Sequence, residues 1–212
     1  MINISVLDFG SLENFKAEIP LHQSEIRKRI DGSKNEKLRA IRRISYSLLL
    51  CSYIDFYGKE APKVVFSGLG KPSFAEGDVG LSVSHTDGFC AVAFAKKEVG
   101  IDVETIENLD KNSRQIKRFV NESVKNALNS AEKASVTVKT YVLKDGEINL
   151  SQDALGQSVL QGDEHLWCAL EAVLKCKEGF ESYPVLSEIS KGVRLYTFSV
   201  KDMAVISAAY IR

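Results

Sequence analysis

The sequence predicts an α+β fold, on three observations. Short alternating or β-branched runs recur and are separated by turn signals. Long stretches with apolar residues at helical spacing lie between them. The order is helix and then strands in the first half, and helices and then strands again in the second, rather than a strict strand–helix alternation. The chain has 212 residues, enough for one large or two small domains.

The elements follow in chain order. Residues 2–9 alternate, with Ile2, Ile4 and Val6 on one face, and read as a strand. Residues 23–31 and 36–57 read as helices. In the second, Leu38, Ile41, Ile44, Ser45, Leu48 and Leu49 recur at helical spacing and Gly58 stops the run. Strands are expected near 63–67, 79–84, 89–95 and 99–104, with Thr86-Asp87-Gly88 as a hairpin turn. A polar linker at 105–112 leads to a helix over 113–131, with Ile116, Phe119, Val120, Val124 and Leu128 on one side. Residues 134–165 hold a β-branched alternating run, the turn Asp145-Gly146, a short return over 147–150 and a polar loop. This stretch reads as an inserted hairpin, either a decorated surface loop or a flap facing a partner. A helix over 163–178 and strands near 192–200 and 203–211 complete the chain.

Composition excludes some function classes. Lys plus Arg equals Asp plus Glu, so the net charge is zero. This argues against bulk electrostatic attraction to nucleic acid or to an anionic membrane. No apolar run is long enough to span a bilayer, and residues 1–20 lack a signal-peptide pattern, so a cytoplasmic protein is expected. Cys51, Cys90, Cys168 and Cys176 show no paired metal spacing and read as buried free thiols.

The run Val99-Gly100-Ile101-Asp102-Val103-Glu104 carries the strongest chemical signal. Side chains at i and i+2 of a strand point to one face, so Asp102 and Glu104 present their oxygens together. Two carboxylates among apolar residues are costly unless positive charge accompanies them. Magnesium suits such a pair, because it takes one or two protein carboxylates and fills its other positions with water and phosphate oxygens. An amphipathic strand with a solvated acidic face is the alternative.

Three further segments stand in order around this run: Gly70-Lys71-Pro72; Leu81-Ser82-Val83-Ser84-His85-Thr86; and Trp167-Cys168-Ala169-Leu170-Glu171-Ala172-Val173-Leu174-Lys175. The ordered set resembles the signature of the 4'-phosphopantetheinyl transferase superfamily, in its larger, surfactin-synthetase-activating (Sfp) type. That signature reads G-K-P, F-N-x-S-H-S, G-I-D-[IV]-E and W-x-x-K-E-x-x-x-K. The resemblance spans residues 37–180, most of the chain. It implies a pseudo-twofold pair of similar subdomains, each a small, mostly antiparallel sheet packed with a long helix. The first would cover residues 1–104, the coenzyme A side, ending in the metal motif. The second would cover 105–212, with the catalytic helix and the insertion. The active site would lie in the cleft between them.

The resemblance also implies an activity. Such an enzyme moves the 4'-phosphopantetheine arm of coenzyme A to a serine of an apo-carrier protein, acyl or peptidyl, and releases 3',5'-ADP. Asp102, Glu104 and Glu171 would hold Mg2+, with Glu171 alternatively the base. Lys175 would contact phosphate oxygens during transfer. Ser84 and His85 would meet coenzyme A phosphates, Lys71 the nucleotide part and Arg42 the 3'-phosphate. The cluster Arg27, Lys28 and Arg29 could add contacts there or be a solvated helix face. A monomer is expected.

Helical spacing adds an expectation. Leu166, Trp167, Leu170, Val173 and Leu174 should pack on the second sheet. Glu171 and Lys175, four residues apart on one face, should reach toward Asp102 and Glu104. As an isolated pair they would be an ordinary surface ion pair. Ser84 and His85 are adjacent in a strand and point to opposite faces, so they do not form a nucleophile–base pair.

The chain departs from the signature in places. Leu170 replaces a lysine, Ser82 an asparagine and Leu81 a phenylalanine, and Lys177-Glu178-Gly179 stands for Gly-Lys-Gly. Three readings follow: an active transferase, a non-catalytic relative that binds coenzyme A or a carrier, and another magnesium-dependent phosphate enzyme on the same scaffold.

Overall fold

The structure is a computed structural model that describes residues 1–10, 12, 15–151, 164–176 and 192–211. The fold is α+β, with two mixed sheets and their helices.

The first half begins with β1 (Ile2–Asp8), α1 (Ser24–Asp31) and α2 (Glu36–Tyr57). Helix α2 starts where the Asn35 side chain accepts the Leu38 N–H at 2.8 Å and ends where Gly58 takes φ +67°. A small ribbon follows, β2 (Val64–Phe66) with β3 (Pro72–Phe74), and then β4 (Gly80–Thr86), β5 (Phe89–Ala95) and β6 (Val99–Thr105). Strand β3 escapes sequence reading because it is three residues long and opens on proline.

The expected linker at 105–112 contains a helix, α3 (Ile106–Lys111), capped by the Thr105 hydroxyl. The expected helix over 113–131 is two helices, α4 (Ser113–Phe119) and α5 (Glu122–Asn129). The apolar period runs through the break, but Asn121 takes extended backbone and its side chain accepts the Val124 N–H, restarting the helix. Strands β7 (Glu132–Lys133), β8 (Val136–Lys144) and β9 (Glu147–Leu150) follow. The chain continues with α6 (Glu164–Cys176), β10 (Val193–Val200) and β11 (Ala204–Ile211). The polar loop at 152–163 and the Lys177-Glu178-Gly179 segment lie outside the described residues.

Three strands, β6, β8 and β9, change sides relative to the sequence-based division at residue 104. The first sheet has the order β4-β5-β1-β8-β9 and the second β6-β11-β10-β7. Strand β6 therefore belongs to the second sheet, through antiparallel pairing with β11 that sets Asp102 opposite Ser207. Strand β8 lies parallel to β1, with Ile4 opposite Val138. The hairpin expected to be a surface insertion is thus an integral part of the first sheet. Asp145 and Gly146 both take positive φ in its turn, as a type I' turn requires. Each sheet is antiparallel except for one parallel pairing, β1–β8 in the first and β7–β10 in the second.

The core has three parts. Ile44, Leu48, Leu49 and Tyr53 of α2 pack with Leu7, Val92 and Phe94 on one face of the first sheet. Ile4, Val6, Ala91, Ile101, Val103 and Ile206 fill the space between the two sheets. Leu166, Leu170, Val173 and Leu174 of α6, with Trp167 at the margin, pack with Val205 and Ala209 on the far face of the second sheet. The layers run helix, sheet, sheet, helix, with β4 and β6 meeting along one corner. Cys90, Cys168 and Cys176 are buried free thiols as expected, but Cys51 is exposed on α2. No helix among the described residues is long and apolar enough to cross a membrane.

Candidate active site

The corner between β4 and β6 is closed by side chains. Ser82, Ser84 and Thr86 alternate along β4, so all three face β6. The Ser82 hydroxyl accepts the Ile101 N–H at 3.1 Å, supplying a partner for the free edge of β6. Ser84 Oγ donates to Asp102 Oδ1 at 3.0 Å, and Thr86 Oγ1 to Glu104 Oε2 at 3.1 Å. Asn108, one turn into α3, donates through Nδ2 to the same Glu104 oxygen and to Thr86, both at 3.2 Å. This hydroxyl row fixes both carboxylates of the acidic strand.

Helix α6 lies directly on this strand. A Cβ at Gly100 would fall 2.0 Å from the Ala172 carbonyl oxygen and 2.6 Å from the Cys176 nitrogen. Only glycine allows that approach. It brings Lys175 Nζ to 2.6 Å from Asp102 Oδ1 and 3.0 Å from Ser84 Oγ. Asp102 is 5% exposed, and its second oxygen is buried without a hydrogen-bond partner. Glu171, one turn before Lys175 on α6, is near enough to feel the same charges. Its carboxyl is held above the usual range first by burial and then by the negative charge of Asp102, with Glu104 adding and Lys175 opposing. Glu104 is also raised, by burial first; its bonds from Asn108 and Thr86 oppose the shift, and the Asp102 charge adds to it. Three carboxylates stand against one ammonium.

Asp102 and Glu104 offer oxygen ligands and negative charge of the kind a hard divalent cation takes, and one Asp102 oxygen is unpartnered. Among the described residues, no three His, Cys, Asp or Glu side chains are grouped closely enough to hold a metal as they stand. The Lys175 ammonium pairs with Asp102.

On the opposite face of β4, His85 lines a cavity of ≈ 130 Å³ with Arg29, Arg42, Tyr46, Gly70 and Pro72. Arg29 lies with its guanidinium 4.7 Å from the Phe66 ring centre, and its Nε is buried without a hydrogen-bond partner. Arg42 Nη1 donates to the Arg29 carbonyl at 3.1 Å and to Ser33 Oγ at 3.2 Å, tying α2 to α1. Burial and then the charges of Lys175 and Arg42 push the His85 imidazole below its ordinary value. Strand β4 therefore carries the pocket on one face, through His85, and the carboxylate cluster on the other, through Ser84. Two guanidiniums and an imidazole give this pocket positive charge and hydrogen-bond donors of the kind that anionic oxygens take.

The sequence-predicted residues thus divide into two neighbouring groups. Asp102, Glu104, Glu171, Lys175 and Ser84 share the carboxylate cluster. Arg42 and His85 share the cationic pocket. Ser84, expected at a ligand phosphate, bonds Asp102 and Lys175. Lys71 projects from the turn beside the pocket, and its Nζ donates to the Cys176 carbonyl at 3.0 Å. Of the basic cluster on α1, only Arg29 lines this pocket. Lys28 pairs with Glu25, and Arg27 lines a separate depression with Lys16 and Arg43. Tyr46 was readable from its place one turn beyond Arg42 on the same helix face. Asn108 carried no such signal, because its role depends on α3 folding back over β6.

No family model matches the chain, and no curated protein matches it.

Proposed function

We propose that the protein is a magnesium-dependent 4'-phosphopantetheinyl transferase, which moves the arm of coenzyme A to a serine of an apo-acyl or peptidyl carrier protein. The observation that carries this reading is the junction of a three-carboxylate cluster and a cationic pocket along one strand, β4. One feature suits a metal-bridged pyrophosphate and the other a terminal phosphate. Coenzyme A carries both groups on one molecule.

In this reading Asp102, Glu104 and Glu171 would hold Mg2+, which when bound would neutralise the charge of the pyrophosphate. Arg29, Arg42 and His85 bind the 3'-phosphate. Alternatively Glu171 is the base, its ionised form accepting the proton of the carrier serine, directly or through a bound water, as that hydroxyl attacks the β-phosphorus. The phosphorus–oxygen bond to the nucleotide breaks, and 3',5'-ADP leaves. Lys175 donates to the phosphate oxygens as charge builds. Ser84 holds Asp102 and Lys175 in place beforehand. The pseudo-twofold pairing of subdomains belongs to the same proposal. Its support is that each sheet is mixed, is covered by helices on its outer face and contributes to the site.

A second reading, a non-catalytic relative that binds coenzyme A or a carrier, is favoured by the lack of a ready-formed metal ligand set among the described residues. Leu170, a lysine in the family signature, is a packing residue in the second core and gives no charge to the site. Incubation with coenzyme A, Mg2+ and a panel of apo-carrier proteins separates the readings. Transfer adds one phosphopantetheine arm to the carrier mass and releases 3',5'-ADP. Bound coenzyme A with unchanged carriers supports the second reading.

A further inference from the structure

The turn that carries Lys71 is tied to itself and touches both groups of the site. Ser67 N–H donates to the Lys71 carbonyl at 3.0 Å, Gly70 N–H to the Ser67 carbonyl at 2.9 Å, and Lys71 N–H to Ser67 Oγ at 3.1 Å. Gly70 takes φ +86°, and a Cβ there would sit 2.8 Å from Arg29 Nη2, so one side of the turn rests on the guanidinium of the cationic pocket. On the other side Lys71 Nζ crosses to the Cys176 carbonyl. Cys176 follows Lys175, whose ammonium holds Asp102 and Ser84. The last turn of α6 is therefore gripped from two directions, by Gly100 beneath it and by Lys71 from the pocket side.

We propose that Lys71 is a positioning residue that clasps the last turn of α6 to the anion pocket, so that filling the pocket fixes Glu171 and Lys175 for the transfer step. Its charge acts on the helix carbonyl and not on the nucleotide. The effect on turnover rests on the transferase reading; the clasp itself does not. A ligand phosphate against Arg29 restrains Gly70, and through this short, internally bonded turn it restrains Lys71 and the helix.

The test compares wild type, Lys71→Met and Lys71→Arg in the full chain. Hydrogen exchange at amides 171–176 is measured with and without adenosine 3',5'-bisphosphate as the probe, alongside probe affinity and transfer kinetics. In Lys71→Met these amides should exchange about tenfold faster, as loss of one charge-assisted hydrogen bond allows, with amides of β1 and β5 unchanged. The probe should slow exchange there in wild type and not in Lys71→Met. The kcat should fall while KM for coenzyme A stays within about threefold, and Lys71→Arg should recover both exchange and kcat. Unchanged exchange in Lys71→Met overturns the clasp. A tenfold or greater loss of probe affinity with exchange unaltered makes Lys71 a nucleotide ligand instead. If wild type fails to bind the probe while exchange still depends on Lys71, the clasp stands and the coenzyme A reading falls.

Discussion

Gly100→Ala should disable the site by lifting the helix that carries half of it. The new Cβ would stand 2.0 Å from the Ala172 oxygen, 2.6 Å from the Cys176 nitrogen and 3.0 Å from the Lys175 carbonyl carbon. All three are backbone atoms, so no side-chain rotation relieves the clash. Reaching an ordinary contact requires α6 to move off β6 by roughly 1.4 Å. Overpacking of this kind costs about 1–3 kcal/mol. For a chain of this length that lowers Tm by roughly 2–12 °C. A displacement near 1 Å at reacting groups costs on the order of 100-fold in rate. Thermal unfolding and carrier loading would be measured together, with Gly68→Ala as control, because a Cβ at Gly68 meets nothing within 4 Å. A Gly100→Ala variant with wild-type Tm and wild-type turnover would refute the close docking of α6 on β6.

Other predictions address the charges. Glu171 is raised because its ionised form is penalised in the folded state, so that penalty grows as pH rises through its folded pKa and is absent well below the ordinary 4.5. Glu171→Gln should therefore raise Tm at pH 8, lose that gain near pH 4 and abolish transfer; a destabilised variant at pH 8 would count against the carboxylate cluster. Ser84→Ala removes a hydrogen bond to a buried carboxylate and should cost about 1.5–3 kcal/mol in denaturant unfolding; a change under about 0.5 kcal/mol would mean that Lys175 alone satisfies Asp102. Arg42→Ala should reduce discrimination between coenzyme A and dephospho-coenzyme A, measured as a ratio of affinities so that general destabilisation cancels. Chelation with EDTA should stop wild-type transfer, and Asp102→Ala should not be rescued by added Mg2+.

The elements were legible where a local signal settled them. Helix α2 was readable to the residue, because its periodic stripe ends at Gly58. Sheet membership was not legible. Strand β6 follows β5 after a short turn and gives no local sign that it leaves for β11. The β8–β9 hairpin looked inserted because its long parallel partnership with β1 spans more than 130 residues of sequence. The approach of Lys175 to Asp102 was anticipated from helix phase and motif order, and β6's exchange into the second sheet is what places α6 over it. Arg29 could not be separated from Arg27 and Lys28 by composition, since the choice depends on which face of α1 meets Phe66.

A crystal structure with coenzyme A and Mg2+ tests the central claim most directly, namely that residues from both halves form one site for one ligand. The account predicts the cation at the oxygens of Asp102, Glu104 and Glu171 and against the pyrophosphate, with the 3'-phosphate at Arg29, Arg42 and His85. Coenzyme A bound away from β4, or its 3'-phosphate turned out to solvent with no cation at Asp102, would contradict it.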